Sequence, residues 1–180
     1  MNQNLKAFLE VIAFAEGADY NTYYQGSKFK NLSEHPYITK EKPKIPLKGT
    51  NLFSTAAGKY QITATTWNEY KKRVNLTDFS PESQDKFAIF LIDKIRKALK
   101  DVEDGYLDIA MNKCRNEWAS FDLILKKKYP KTFDQCVEVF IKNGGIPMLI
   151  DKETGYYSIP ETLITAIKDK EEKKKFGSIY

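Results

Sequence analysis

The sequence predicts an α+β fold that is mostly helical, and three observations carry that expectation. Apolar residues recur at three- and four-residue steps from Leu5 to Glu16, and again in segment after segment beyond Ile62. That is the period of helices with one face in a core. Between them, from Ala18 to Gly58, the period gives way to Tyr, Asn, Gln, Ser and Lys punctuated by Gly26, Pro36, Pro43 and Pro46, as in short strands joined by long loops. The chain is 180 residues long, 42% hydrophobic and 29% charged, which suits one domain with its own core and excludes a mainly disordered chain.

Leu5, Phe8, Leu9, Ile12 and Ala13 form one face of the first helix, and Phe14 and Ala15 widen it. Asn4 is placed to cap its start, and Gly17 to take the left-handed conformation just past its end. Glu16 is then the last helical residue. The negative end of a helix disfavours an anion, and the neighbours Phe14, Ala15 and Gly17 offer little polar solvation. Both effects raise a carboxyl pKa and keep a glutamic acid protonated near neutrality.

The stretch from Ala18 to Gly58 is expected to form a hairpin or three-stranded sheet with long loops, and loops of that length usually serve a site. Thr63 or Thr65 can cap the next helix, which carries Trp67, Tyr70 and Val74. Ser80-Pro81-Glu82 starts another, with a cap, a proline at the first helical position and an acid at the positive end. That helix is expected to bury Phe87, Phe90, Leu91, Ile95 and Leu99. Further helices are expected from about Tyr106 to Trp118 and from Thr132 to Asn143, the latter stopped by Gly144-Gly145. Ser158-Ile159-Pro160 is expected to open a last helix through Ala166 and Ile167. Residues 1–145 are expected to be the main domain, with 146–180, too few for their own core, packed on it.

Lys and Arg exceed Asp and Glu by 29 to 24, a net charge of +5. Five lysines against Asp169, Glu171 and Glu172 between Lys168 and Lys175 supply +2 of it. Such a balance fits a polyanionic partner and equally an ordinary soluble surface. No stretch approaches the roughly 18 apolar residues of a membrane span. Met1-Asn2-Gln3-Asn4-Leu5-Lys6 leads no apolar run, so no cleaved secretory signal is expected. Cys114, Cys136 and the single His35 offer no zinc spacing and no local nucleophile signature. The cysteines fall at apolar helix positions, as core thiols do. Neither metal nor cofactor is expected, and carboxylates are left to carry any chemistry. Ser54-Thr55-Ala56-Ala57-Gly58-Lys59-Tyr60-Gln61-Ile62 adds polar groups and small residues that let a ligand approach the backbone. With the tyrosines before it, that suggests carbohydrate.

Five stretches, in order, resemble the bacteriophage lambda endolysin family of soluble lytic transglycosylases. They run from Ala7-Phe8-Leu9 to Ala15-Glu16-Gly17, through Tyr20-Asn21-Thr22 with Gly26 and Glu34-His35-Pro36, to Ser54–Gln61, Asp78–Asp85 and Cys114-Arg115-Asn116-Glu117-Trp118-Ala119-Ser120. The resemblance implies a lysozyme-like fold, a small β subdomain flanking a glycan cleft on a helical body. It implies that Glu16 is the catalytic acid, protonating the bond between N-acetylmuramic acid and N-acetylglucosamine and then serving as base while a 1,6-anhydro ring closes. It places Tyr60 and Gln61 against the sugar at the cut and Asn116, Asn21 and His35 around the cleft. His35 before Pro36 equally suits a loop lock, and Trp118 suits the core.

A hydrolytic muramidase needs a second carboxylate at a set separation. Asp19, Glu34 and Asp122 are the candidates. A binding module on the same fold is the alternative from another class. The family's glycine-rich loop bearing a tyrosine, after Ser120, is replaced here by Phe121-Asp122-Leu123-Ile124-Leu125-Lys126-Lys127-Lys128-Tyr129, where Tyr129 can stand in at a different offset. The implied partner is the peptidoglycan glycan strand, met by a monomer with no nucleic acid and no membrane insertion. The enzyme would be made in the cytoplasm and reach the periplasmic wall by release or delivery, as an endolysin or an effector whose delivery or inhibitor partner the sequence does not name.

Overall fold

A computed structural model of the chain describes residues 1–150 and 155–160. Helix α1 (Gln3–Glu16) is the central element, and Ala7, Phe8, Val11, Ile12 and Ala15 are fully buried in it. Burial on nearly every side follows from its position against three others, α4 (Leu99–Glu103), α6 (Ala119–Leu125) and above all α7 (Phe133–Lys142), while α5 (Leu107–Cys114) packs on α4 and α6. Burying a side chain such as Phe8 or Ile12 contributes about 1.5–3 kcal/mol. The cap is Asn2 and not Asn4; the Asn2 Oδ1 accepts from the Asn4 amide at 2.8 Å. Asn4 sits inside the first turn, where its side chain donates to the Glu103 carbonyl at 2.9 Å and accepts from the Ile146 amide at 2.8 Å.

The β region is smaller than the sequence suggests. Strands β1 (Ile45–Pro46) and β2 (Phe53–Ser54) form one antiparallel pair, Ile45 opposite Ser54 and Pro46 opposite Phe53. Pro43 and Pro46 carry no amide hydrogen, so a ladder cannot lengthen through them. Single bridges between Thr22 and Lys28, Tyr23 and Ala57, and Ala57 and Ile62 hold the rest.

Thr63 caps α2 (Ala64–Tyr70), and Ser80 with Pro81 starts α3 (Pro81–Phe90). The expected single helix through Leu99 breaks. A π-helical turn, Leu91–Ile95, leads to Lys97 in the left-handed region at φ 54°, and Leu99 begins α4. The expected helix from Tyr106 to Trp118 also breaks, ending at Cys114 and resuming at Ala119. In the intervening turn the Glu117 and Trp118 amides both donate to the Cys114 carbonyl, and Trp118 is extended. A capping box of Thr132 and Gln135 starts α7, which ends before Gly144. Cys114 and Cys136 are buried free thiols, pushed up to about 12 by burial.

Strands β3 (Leu149–Ile150) and β4 (Tyr157–Ser158) pair antiparallel. The Met148 amide donates to the Gly105 carbonyl, and the Tyr157 hydroxyl to Asp108 at 2.7 Å. Ser158 is therefore a strand residue and not a helix cap. The expected helix through Ala166 and Ile167 and the lysine run lie outside the described residues. Among the described residues no helix is long and apolar enough to cross a membrane.

Candidate active site

Gly17 closes α1 in the left-handed conformation at φ 66°. Its amide donates to Phe14 at 3.1 Å and that of Ala18 to Ala13 at 3.2 Å, the bond pair of a Schellman ending. The last turn holds no basic residue, and Lys131 supplies the missing cation from 117 residues beyond Phe14. Its ammonium donates to the Phe14 carbonyl and, at 3.3 Å, to that of Ala15. It also lies over the Phe14 ring, 5.0 Å from the centroid.

Glu16 projects from this end into a cleft of about 340 Å³, walled by Thr22, Tyr24, Gln61, Ser120 and Tyr129 among others. Ser120, at the second position of α6, donates its hydroxyl to Glu16 Oε1 at 2.5 Å. The break in the chain at Arg115–Glu117 turns α6 so that this contact is made. Glu16 Oε2 has no hydrogen bond from the described residues. Burial pushes the Glu16 carboxyl pKa up, against the opposing pull of the Ser120 hydrogen bond and the Lys131 charge. The glutamic acid is thus biased towards its protonated form while two groups stand ready for its anion.

Among the described residues one other carboxylate lines the cleft, and it is none of the three expected. Glu117 is held by Arg96, whose Nε donates to Oε1 at 2.8 Å. Asp19 lies outside the cleft, paired with Lys28 at 2.6 Å, and that hydrogen bond leads the causes that bring its pKa down to about 2. Glu34 is bound by Lys71 and Trp67. Burial works to raise its pKa, but those hydrogen bonds and one from the His35 amide outweigh it and leave it lowered. Asp122 pairs with Lys126 one turn on.

A family model described as Endolysin matches residues 6–146. The chain belongs to the endolysin family. It is 33% identical to the endolysin of Escherichia phage lambda over 161 residues, covering 84% of this chain and 98% of that protein. With the endolysin of Escherichia phage P2 it shares 33% over 160 residues, 81% of this chain and 96% of the relative. A solved structure of bacteriophage lambda lysozyme complexed with a chitohexasaccharide superposes with a TM-score of 0.68 at 32% identity, over 81% of this chain and 96% of that one. The fold is therefore lysozyme-like, and the chain is a lysozyme-like lytic enzyme of the cell wall.

Within this endolysin the expected cleft residues separate. Gln61 is on the wall, at φ 45°, and its amide nitrogen donates to the Thr22 carbonyl at 3.1 Å and that of Gly58 at 2.9 Å. The Tyr60 side chain is fully buried, and its hydroxyl donates to Asp85 at 2.6 Å beside that of Tyr20 at 2.9 Å. It does not line the cleft. His35 is also fully buried, with Nε2 donating to the Ile62 carbonyl at 3.0 Å and Nδ1 accepting from Tyr37. Burial brings its pKa down to about 4, so it is a neutral lock on the loop. Asn21 ties its own loop, donating to the Phe29 carbonyl at 3.2 Å. Asn116 is exposed in the turn before α6 and does not line the cleft. Trp118 is core, its indole donating to the Tyr60 carbonyl at 2.9 Å. Tyr129, which the sequence offers in place of the family's loop tyrosine, is on the wall.

Sequence reasoning missed Ser120 and Lys131 as partners of Glu16. Ser120 ends the last family-like stretch, which was a signal for it. For Lys131 the signal was the uncompensated negative end of α1.

Proposed function

We propose that the chain is a lytic transglycosylase that cuts the β-1,4 bond between N-acetylmuramic acid and N-acetylglucosamine in peptidoglycan. Protonated Glu16 gives its proton to the glycosidic oxygen as the bond to muramyl C1 breaks. The Glu16 carboxylate then takes the proton of the muramyl 6-hydroxyl, whose oxygen bonds to C1 and closes the 1,6-anhydro ring. One proton leaves and one returns, and no water is consumed. Such a group must serve in both protonation states, which requires a pKa near the working pH.

The observation that carries this reading is the setting of Glu16: desolvated at a helix end, with Ser120 on Oε1 and Oε2 without a partner among the described residues. Ser120 and Lys131 then stabilise the carboxylate that must form in mid-reaction. Neither metal nor cofactor has a step in this scheme. Cleavage would occur at the wall, after release or delivery from the cytoplasm.

A hydrolytic muramidase is the second reading, and Glu117 in the same cleft favours it over one built on Asp19, Glu34 or Asp122. Two variants separate the readings. Glu16→Gln should lower cleavage by about 10²–10⁴-fold or more, the usual general acid–base contribution. Glu117→Gln should stay within about tenfold, the scale of 1.4 kcal/mol. Loss of comparable size in both would make Glu117 a reacting group and favour the hydrolase. Parental cleavage by Glu16→Gln would remove Glu16 from the mechanism.

A further inference from the structure

Behind the catalytic glutamate a second, shallower depression of about 570 Å³ runs along α1 against α7. Gly17 and Thr22 line both depressions, so the second lies beside the first. Glu10, Ala13, Phe14 and Gly17 form its floor at steps of three and four residues, a single helix face. From Gly17 to Glu10 the helix rises about 10 Å at ~1.5 Å per residue, room for about three extended residues at ~3.3 Å each. At that boundary Gly17 leaves room for the Lys131 ammonium, which would stand 3.1 Å from a Cβ there.

The groove's charges are nearly all committed. Lys28 pairs with Asp19 at 2.6 Å, Glu10 with Lys59 at 2.6 Å, and Lys131 holds the α1 carbonyls. Lys142, in the last turn of α7, is exposed and has no ion pair among the described residues. Among the described residues the groove thus offers one uncommitted cation, with a half-buried aromatic floor at Phe14 and a peptide-length track.

We propose that this groove is a subsite for the acidic peptide stem carried by the muramyl lactate, with Lys142 meeting a stem carboxylate. The inference rests on the glycan reading of the Glu16 cleft. A strand lying there with a muramyl ring next to Glu16 must send its lactyl-linked peptide out of the cleft, and the depression past Gly17 and Thr22 is the one that adjoins it. Small stem side chains pass over Ala13 and Phe14, and a carboxylate ends near α7.

The test compares glycan strands that keep their stems with strands stripped by an amidase, at about 0.15 M salt so that distant charges are screened. The parent should show a kcat/KM ratio favouring stem-bearing strands by about fivefold, the scale of one partly exposed charge pair. Lys142→Met should bring that ratio towards one, and Lys142→Glu below it. A parental ratio near one, or the same ratio in Lys142→Met as in the parent, would overturn the subsite. Calorimetric binding of both strand types to the Glu16→Gln protein, with and without Lys142→Met, reads the same preference without cleavage. A subsite that fails there fails whatever the chemistry at Glu16. Binding that depends on Lys142 while Glu16→Gln still cuts would retain the subsite and remove the transglycosylase reading.

Discussion

Gln61 is the residue at which a sugar-binding role and a structural role are most sharply separable. Gln61→Ala removes two hydrogen bonds from its amide nitrogen to the Thr22 and Gly58 carbonyls. At about 0.5–1.5 kcal/mol each, the loss is about 1–3 kcal/mol. In a chain of this size that lowers Tm by roughly 2–12 °C, at ~2–4 °C per kcal/mol. The backbone at position 61 is left-handed, φ 45°, a region that costs a non-glycine residue about 1–2 kcal/mol. Gln61→Gly should therefore melt above Gln61→Ala by roughly 2–8 °C, relieving strain while losing the same hydrogen bonds. The assay is a melting curve for each variant beside kcat/KM on soluble glycan fragments. Activity should fall in both variants, because the Thr22–Gly58 tie shapes the wall facing Glu16. An unchanged Tm in Gln61→Ala, with activity lost, would show that the amide serves the sugar alone and refute the structural role.

Three further outcomes follow from the same contacts. The raised pKa of Glu16 means that the folded state keeps a proton that the unfolded chain gives up at an ordinary carboxylate pKa. Stability from this group therefore falls as pH rises through that window, and Glu16→Gln should flatten the fall and melt higher than the parent at neutral pH; a lower Tm there contradicts the desolvated setting. Lys131→Met removes a positive charge that pulls the Glu16 pKa down, so the alkaline limb of the pH–rate profile should move to higher pH, and Lys131→Arg should restore it. A profile unmoved in Lys131→Met would leave Lys131 as a helix cap only. Gly58→Ala places a Cβ 2.1 Å from Gln84 Oε1 at φ +75°, against a fully buried side chain that binds Lys59, Tyr20 and Phe79; it should cost about 2–4 kcal/mol in denaturant unfolding.

The parts of the fold that could be read from the sequence are those fixed by local chemistry. Gly17 ends α1, Ser80-Pro81 starts α3 and Thr132 boxes the start of α7, each through bonds within a few residues. The place of Glu16 as the last residue of α1 was legible for the same reason, since Gly17 ends the helix just after it. The breaks at Lys97 and at Arg115–Glu117 carry no proline or glycine, and tertiary contacts such as Arg96 with Glu117 accompany them. Ser120 and Lys131 reach α1 from 104 and 116 residues away, beyond any periodicity. Tyr60 and His35 were assigned to the cleft by their motif, but Asp85 and the Ile62 carbonyl, which draw them inward, are visible only once the chain is folded.

The most direct test of the chemistry at Glu16 is the mass of the muropeptides released when the purified protein digests cell wall. A lytic transglycosylase leaves every new muramyl end as a 1,6-anhydro sugar, one water lighter than the hydrolytic product, and that is the predicted result. Reducing muramyl ends at the full mass would mean that water attacks C1 and would contradict it, turning attention to Glu117 as the second carboxylate. An undigested wall would contradict it as well and leave a protein that holds glycan without cutting it.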